Sequence, residues 1–531
     1  MDILSRMVNL PSLSFWNVLL SAAPLLLVLY LMVGRRWGGV KAGPAGWLLA
    51  MLIALLAFGA GPVLLVVAFG RGLLLALFVL YIIWMALLFY HVVNDAGAIA
   101  AIGTTLPTLA NGRVEQALLL AWVFGSFLQG ASGFGVPAAV VAPLLLGLGF
   151  APDVAVVAAL MGHAWAVTFG SLGSSFLALM AATGLPGEMI DGPAALLLGI
   201  CCLGCGVAVL WATDRWAALR QGWLRLLGLT AVMGVSQYLL AEAGLWTLAA
   251  FGAGLIGLLV IVVDLRYGLL DTRRARRSAQ PEKAAFDGRG LARAFLPYGI
   301  LSAVILLGSL IVDDLLDLVI LNYDFPAVMT RFGWTTPAGA GRSINLFGHP
   351  GALLLYTSLL VYGWYRWRGT LNGKQTYDLG AIVRRTVQGS RKSTISIIAL
   401  VAMAVTMQHA GMTQLLATAM SSATGRYFPL VSPFIGALGA FMTGSNTNSN
   451  VVFASLQQTT AVALGLSVPL ILAAQTAGGA IGGSFAPAKV IVGASTVENA
   501  SSGRVLRLAT IYSLVILTLI GLLVWGITLL G

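Results

Sequence analysis

Gly125-Ser-Phe127-Leu-Gln-Gly130 and Gly439-Ala-Phe441-Met-Thr-Gly444 are two copies of one G-x-F-x-x-G pattern, 314 positions apart in a chain of 531 residues. Ala96-Gly97 and Ala410-Gly411 keep the same offset, and each pair closes a long apolar run. Leu148-Gly149 matches Leu464-Gly465 and Gly162 matches Gly478 at an offset of 316, so a two-residue insertion in the second copy accounts for the change. Single matches mean little in a chain with 64 glycines, but matches in fixed register indicate an internal duplication.

The surroundings of the two copies are those of a membrane protein. Charged residues make up 9% of the chain and hydrophobic ones 59%, with a mean hydropathy of +0.94; a soluble domain is roughly a quarter charged. The apolar stretches 18–33, 72–93, 246–263 and 511–530 each approach the ~20 residues that carry a helix across hydrocarbon. They lack period-2 alternation, so helices are expected and a β-barrel is not. The first apolar stretch is long and has no small-residue cleavage site, which reads as a membrane helix and not a removed leader. The net charge of +12 sits in short loops and forms no basic face, so nucleic acid is not an expected partner and lipid is. Cys201, Cys202 and Cys205 share one apolar helix without further ligands nearby, which reads as helix packing and not as a metal site.

Lys and Arg accumulate on the cytoplasmic side of a membrane. Four basic loops set the orientation: 266–293, 366–392, Arg35 to Lys41, and Arg215, Arg220 and Arg225. With all four inside, the spacing predicts an all-α polytopic membrane protein of about twelve transmembrane helices with both termini outside. Two further segments, 116–149 and 428–465, must enter and leave on one side as re-entrant hairpins. Helices are expected at 152–178, 192–212 and 226–241, among others. The helix at 72–93 then runs inward and its partner at 393–413 outward, so the two halves are inverted repeats, as in many secondary transporters. The halves are 1–265 and 295–531, joined by a basic cytoplasmic linker at 266–294.

After the shared pattern, the first half continues Ala131-Ser132-Gly133-Phe134-Gly135-Val136-Pro137 and the second Ser445-Asn446-Thr447-Asn448-Ser449-Asn450. Gly and Pro are poor helix-interior residues, and Ser and Asn favour caps and turns. Non-helical backbone at membrane depth is tolerated only where protein buries it or it lines an aqueous cavity. Such a break frees N–H groups at the positive end of the following half-helix, which suits an anion without a buried Arg. The expected substrate-binding set is Gln129, Gly130, Ser132, Gly133, Gly135, Thr443, Gly444, Ser445, Asn446, Thr447, Asn448 and Asn450. Two such tips facing each other near the midplane would suit one small carboxylate.

For Gly162, Gly170 and Gly173 close helix packing is the favoured reading over a role at the site. Ionisable residues inside membrane helices are functional candidates: Asp95 with His91 one turn earlier, His409 in the position equivalent to Asp95, His163 mid-helix, and Lys489. A histidine titrates near neutral pH and could carry a coupling proton, although each of these also reads as an interfacial, hydrogen-bonded or snorkelling group. Gln457, Gln458 and Gln475 bind solute or bridge helices.

These stretches resemble the lactate permease family of bacterial monocarboxylate transporters. The resemblance lies in Phe127 to Pro137, F-L-Q-G-A-S-G-F-G-V-P, and in Thr443 to Asn450, T-G-S-N-T-N-S-N, and in length and order it extends over the whole chain. It implies a transporter of the bacterial inner membrane, proton-coupled, for lactate, glycolate or a similar 2-hydroxy acid, with no cofactor. The family pattern has an acid where Gln129 stands and another where Asn446 stands. Both proton-bearing candidates are thus amides of the same shape here, and His163 stands where Asn would be expected. Either the coupling differs, sodium being the alternative since carbonyls exposed at helix breaks also bind Na⁺, or the anion does. A membrane-embedded enzyme built on His163 and a channel are the competing classes; assembly as a homodimer stays open.

Overall fold

The computed structural model describes residues 9–133, 135–268, 288–310, 316–373 and 377–530. Most of the basic linker, with Arg273, Arg274, Arg276, Arg277 and Lys283, lies outside them, as do Lys374 and the hairpin-tip residue Phe134. Nineteen helices among the described residues carry the architecture. The first half contains α1 (Phe15–Leu29), α2 (Gly39–Leu56), α3 (Pro62–Asp95), α4 (Ala98–Thr105), α5 (Arg113–Ala131), α6 (Val136–Gly147), α7 (Pro152–Gly162), α8 (Gly170–Thr183), α9 (Asp191–Glu242) and α10 (Trp246–Tyr267). The second contains α11 (Gly288–Leu310), α12 (Pro350–Arg368), α13 (Leu379–His409), α14 (Met412–Thr424), α15 (Phe428–Thr443), α16 (Asn446–Leu464), α17 (Val468–Gly482), α18 (Pro487–Ser495) and α19 (Ser502–Leu530).

Ten of the described helices are long and apolar enough to cross a membrane, so the chain is a multi-pass membrane protein. The 52-residue α9 is in fact two helices, because Asp214 and Arg215 leave helical geometry between them, at the first residue of the fourth basic loop. Arg225, assigned above to that same loop, is instead buried in the second of the two. Its guanidinium donates to Asp264 Oδ2 at 2.6 Å and to Glu115 Oε1 at 3.2 Å. Burial of this charge follows from its two acidic partners on α10 and α5; an unpaired Arg at that depth costs several kcal/mol.

The duplicated sequence becomes duplicated structure. Gly97 and Gly411, at φ of +82° and +81°, occupy the left-handed position between α3 and α4 and between α13 and α14. Only glycine holds that conformation without a Cβ penalty, which is why the pair survives as glycine in both copies. The order α3 to α9 is repeated by α13 to α19, and contacts between the halves are reciprocal. Thus α7 packs on α19 and α17 on α9, while α8 packs on α16 and α18 on α6. The repeat partners α3 and α13 pack side by side and antiparallel. Gly72 lies against Ala402, Trp84 Nε1 donates to Thr394 Oγ1 at 2.9 Å, and Asp95 pairs with Arg385.

One element had no signal in the hydrophobic pattern. Residues 320–345 form three nested two-residue antiparallel ladders, with Ile320 opposite Asn345, Asp324 opposite Ala340 and Val328 opposite Thr336. This ladder lies on the start of α3, where the Phe325 ring occupies the space a side chain on Gly70 would fill. Arg331 N–H donates to Gly59 O, and Arg71 Nη2 donates to Pro337 O and Gly339 O at 3.0 and 3.2 Å.

Candidate functional site

Both glycine-rich segments are helix–break–helix hairpins, α5–α6 and α15–α16. A third break, inside the stretch 152–178 that the sequence suggested was one helix, lies between them. There α7 stops at Gly162, a single 3-10 turn follows at Ala164–Val167, and α8 begins with Ser171, Leu172 and Gly173 all left-handed. Ser171 and Leu172 carry φ of +49° and +56° and are buried. Non-glycine residues in that region cost about 1–3 kcal/mol each and persist where the surroundings over-determine them, commonly at functional sites. The signal in the sequence is Gly170-Ser-Leu-Gly-Ser-Ser175, a polar run in an apolar stretch, of which the glycines alone suggest packing.

Both hairpin tips converge on this break. From the first, Gln129 is buried against Gly170, where a Cβ would stand 2.9 Å from its Nε2, and Gly133 abuts Ser171 Oγ. From the second, Asn446 Nδ2 donates to Thr168 Oγ1 at 3.1 Å and to Thr476 Oγ1 at 3.3 Å. Asn450, one turn later on the same face, donates to Ser175 O and to Thr476 Oγ1, both at 2.9 Å. The Thr447 hydroxyl bonds that of Ser175 at 2.9 Å. Thr168, Ser171, Ser175 and Thr476 are therefore members of the cluster that sequence reasoning missed. The side-chain oxygens of both Asn446 and Asn450 are buried and have no hydrogen-bond partner among the described residues.

The two tips are not equivalent as anion receptors. Ser445 caps α16 by accepting from Asn448 N–H at 3.3 Å, and the N–H groups of Asn446 and Thr447 have no acceptor within the helix. At the first tip Gly135 is the cap of α6 and offers no side chain. The Val136 N–H there donates to Gly133 O at 2.9 Å, and Pro137 has none to give. Free donors thus concentrate on the second hairpin.

Other expected site residues do different work. Gly130 lets α5 reach the backbone of Phe251 on α10, and Gly254 lets α10 reach Phe127. The Ser132 hydroxyl turns back to Leu128 O at 2.8 Å. Gly444 terminates α15 at φ +71°, and the Thr443 hydroxyl donates to Gly439 O at 2.8 Å. Thr443 and Asn448 line a void of about 10 Å³ with Leu25, Val28 and Met403, on another face from Asn446. Gln457, Gln475, Ser432 and Ser449 form a satisfied buried network, and Gln458 donates to Thr183 O at 3.3 Å, so these glutamines bridge helices.

The four coupling candidates are dispersed. Asp95 and His409 sit at the C-terminal ends of α3 and α13, which the antiparallel packing puts at opposite ends of the pair. Asp95 is held by Arg385 and, through its carbonyl, by Asn372. His163 caps α7, buried, with Nδ1 2.7 Å from Ala159 O. Lys489 lies in the first turn of α18, half-buried, its Nζ 3.0 Å from where a Cβ on Gly483 would be, within electrostatic reach of His163. His91 is half-buried beside Tyr90.

A helical membrane protein with two broken hairpins meeting a third break at a buried polar cluster has the architecture of a transporter. The family model described as L-lactate permease matches residues 17–530, and the chain belongs to that family. It is 25% identical to the L-lactate permease of Bacillus subtilis (strain 168), over 91% of each chain. It is also 25% identical to the L-lactate permease of Escherichia coli (strain K12), over 92% of this chain and 91% of that one. To the glycolate permease of the same strain it is 25% identical over 96% and 95%. Among solved structures, the YdaH transporter of Alcanivorax borkumensis is similar over 84% of each chain, with 14% identity and a TM-score of 0.43. The relatives are permeases and not enzymes, which favours a transporter over the competing class of a membrane-embedded enzyme.

Proposed function

We propose that the chain is a secondary active transporter that moves a short 2-hydroxy monocarboxylate, lactate, glycolate or a close analogue, across the bacterial inner membrane. One observation carries the reading: the free N–H groups of α16, with Asn446, Thr447 and Asn450, lie at a buried break reached by both hairpins. A carboxylate would take the N–H groups at the positive helix end, and the 2-hydroxyl would exchange bonds with the neutral side chains of Thr168, Ser171 and Thr476. The lactate and glycolate permeases among its relatives support this substrate class. Inversion of the halves 1–265 and 295–531, with 266–294 between them, is supported by the antiparallel packing of α3 on α13.

Coupling by protons is the first reading, with His163 and Lys489 as carriers, since Gln129 and Asn446 are amides and cannot titrate. Sodium is the second, and the two unpartnered carbonyl oxygens of Asn446 and Asn450 favour it, because hard cations are bound by such oxygens. Purified protein in proteoliposomes is expected to accumulate labelled lactate or glycolate saturably. An imposed proton gradient at constant Na⁺, and a Na⁺-for-K⁺ exchange at constant pH, separate the two couplings. Absence of gradient-dependent uptake for both acids would overturn the reading. Asp95, another of the four candidates, is held in an ion pair with the half-exposed Arg385, and such pairs contribute about 0–1 kcal/mol. Asp95→Asn is therefore expected to lower the thermal midpoint only slightly and to leave the ratio of coupled to uncoupled uptake unchanged; a collapse of that ratio would return Asp95 to the coupling path.

A further inference from the structure

A cavity of about 380 Å³ opens beneath the β-ladder, away from the hairpin cluster. Arg71, Arg342, Gln408, His409, Trp334 and Thr336 line it, with apolar residues between, and no Asp or Glu is among the lining residues. Three of its basic groups hold unused donors or ring nitrogens: Arg71 Nε, Arg342 Nε and His409 Nε2 are buried without a hydrogen-bond partner among the described residues. A buried guanidinium N–H left unmatched costs free energy that only an acceptor or water recovers. Arg71 has its Nη2 on two ladder carbonyls, so it has a structural task as well. Arg342 has no such task; its guanidinium rests 4.2 Å from the centre of the Phe78 ring and makes no ion pair among the described residues.

The position of this cavity matters. A second, smaller one of about 30 Å³ shares Leu75, Ala182, Val405 and Gln408 with it and extends to Val451, Val452 and Ser455 of α16. Val451 follows Asn450 directly. The basic chamber therefore adjoins the helix whose N-terminus forms the hairpin cluster. Two arginines without a carboxylate create a positive potential that concentrates anions and raises their rate of encounter. The bidentate fork of Arg342 matches a carboxylate.

We propose that the chamber between Arg71, Arg342 and His409 is a second binding site, an antechamber that holds the carboxylate of the transported acid on its way to α16. The anion site stands on the chamber's own residues; the identity of its occupant rests on the function proposed above. The β-ladder is its roof, and Arg71 fastens that roof to α3.

The test uses the full-length protein and the fluorescence lost on Trp334→Phe, which isolates a tryptophan of the chamber wall. At constant ionic strength iodide is expected to quench this component more strongly than neutral acrylamide does, and lactate, but not its uncharged methyl ester, to relieve the iodide quenching. Arg342→Gln is expected to lower the iodide quenching constant at least about twofold and abolish relief by lactate, with acrylamide quenching unchanged. Arg342→Lys, which restores the charge, is expected to recover the iodide response. In proteoliposomes Arg342→Gln should raise the KM for uptake about tenfold, equivalent to about 1.4 kcal/mol, at nearly constant maximal rate. Iodide quenching and lactate relief that are the same in wild type and Arg342→Gln would overturn the proposal. Iodide quenching sensitive to Arg342 in a protein that transports neither lactate nor glycolate would leave the anion site standing and overturn the function.

Discussion

Thr476→Val is expected to reduce uptake of the carboxylate by about a hundredfold while the protein still inserts and folds. The Thr476 hydroxyl is the one oxygen that both asparagines of the second hairpin share, accepting from Asn450 Nδ2 at 2.9 Å and from Asn446 Nδ2 at 3.3 Å. It also bonds the Thr168 hydroxyl at 3.1 Å, so it ties α16 and α17 to the break before α8. Valine has the same shape and no acceptor. Each amide keeps one partner, Asn446 on Thr168 and Asn450 on Ser175 O, but loses the other. A hydrogen bond removed in this way costs about 1–1.5 kcal/mol, and two such losses correspond to roughly a hundredfold change in an equilibrium constant. The effect is expected mainly on function, because the lost bonds orient the side chains that would face the substrate. Thr476→Ser, which keeps the hydroxyl, should retain most of the activity. Uptake by Thr476→Val within a few-fold of wild type, with unaltered substrate affinity, would remove the Asn446–Asn450 face from the binding site.

Gly162→Ala and Gly478→Ala are expected to be the most damaging substitutions to the fold, and to damage it equally. A methyl on Gly162 would stand 3.0 Å from Trp122 Cα and inside the Ala121 carbonyl; on Gly478 it would stand 2.7 Å from Pro433 Cα and inside the Pro433 carbonyl. In both halves the obstacle is backbone of the first hairpin leg, which cannot rotate away. Helices α5 and α7, and α15 and α17, would have to separate. Overpacking of a tight interior costs about 1–3 kcal/mol, and membrane helices that rely on small residues for close approach have little else holding them together. The check is the yield of monodisperse protein in detergent and its thermal midpoint. A wild-type yield for either variant, or a large loss in one half only, would contradict the equivalence of the two contacts. Packing was the favoured reading of Gly162 from sequence, and the geometry gives it a specific partner.

The hairpins were legible because glycine, proline and asparagine in an apolar run conflict with a continuous helix. The repeat was legible because Gly97 and Gly411, like Gly149 and Gly465, occupy left-handed positions that few other residues tolerate. The multi-pass, helical class followed from composition and from apolar runs of spanning length without period-2 alternation. The candidate site was legible only in part. Asn446, Thr447 and Asn450 stood out as polar residues in apolar surroundings, but Asn448, with the same chemistry two residues along, faces another side of α16 and lines a different void. Which polar residues share a face with which neighbours is decided by helix phase and by the packing of elements far apart in sequence. For the same reason Thr168, Ser175 and Thr476 were passed over: each is an ordinary residue until α8 and α17 are brought against α16.

The buried Arg225 illustrates the limit from the other direction. Charge counting put it in a cytoplasmic loop, because it follows Arg215 and Arg220 between two apolar runs and clustered basic residues mark cytoplasmic loops. Its burial depends on Glu115, 110 residues earlier, and Asp264, 39 residues later, and no local pattern announces such a pair. The sequence by itself determined that the chain spans a membrane in helices, that it is duplicated, and that each copy carries a glycine-rich break. Those properties follow from the transfer energy of side chains and the backbone limits of single residues, both of which are local. Only the tertiary structure decided that a third break lies between the two, that donors concentrate on one tip, and that two arginines with no carboxylate partner among the described residues line a chamber beside it. These are properties of which surfaces meet, and a linear pattern does not contain them.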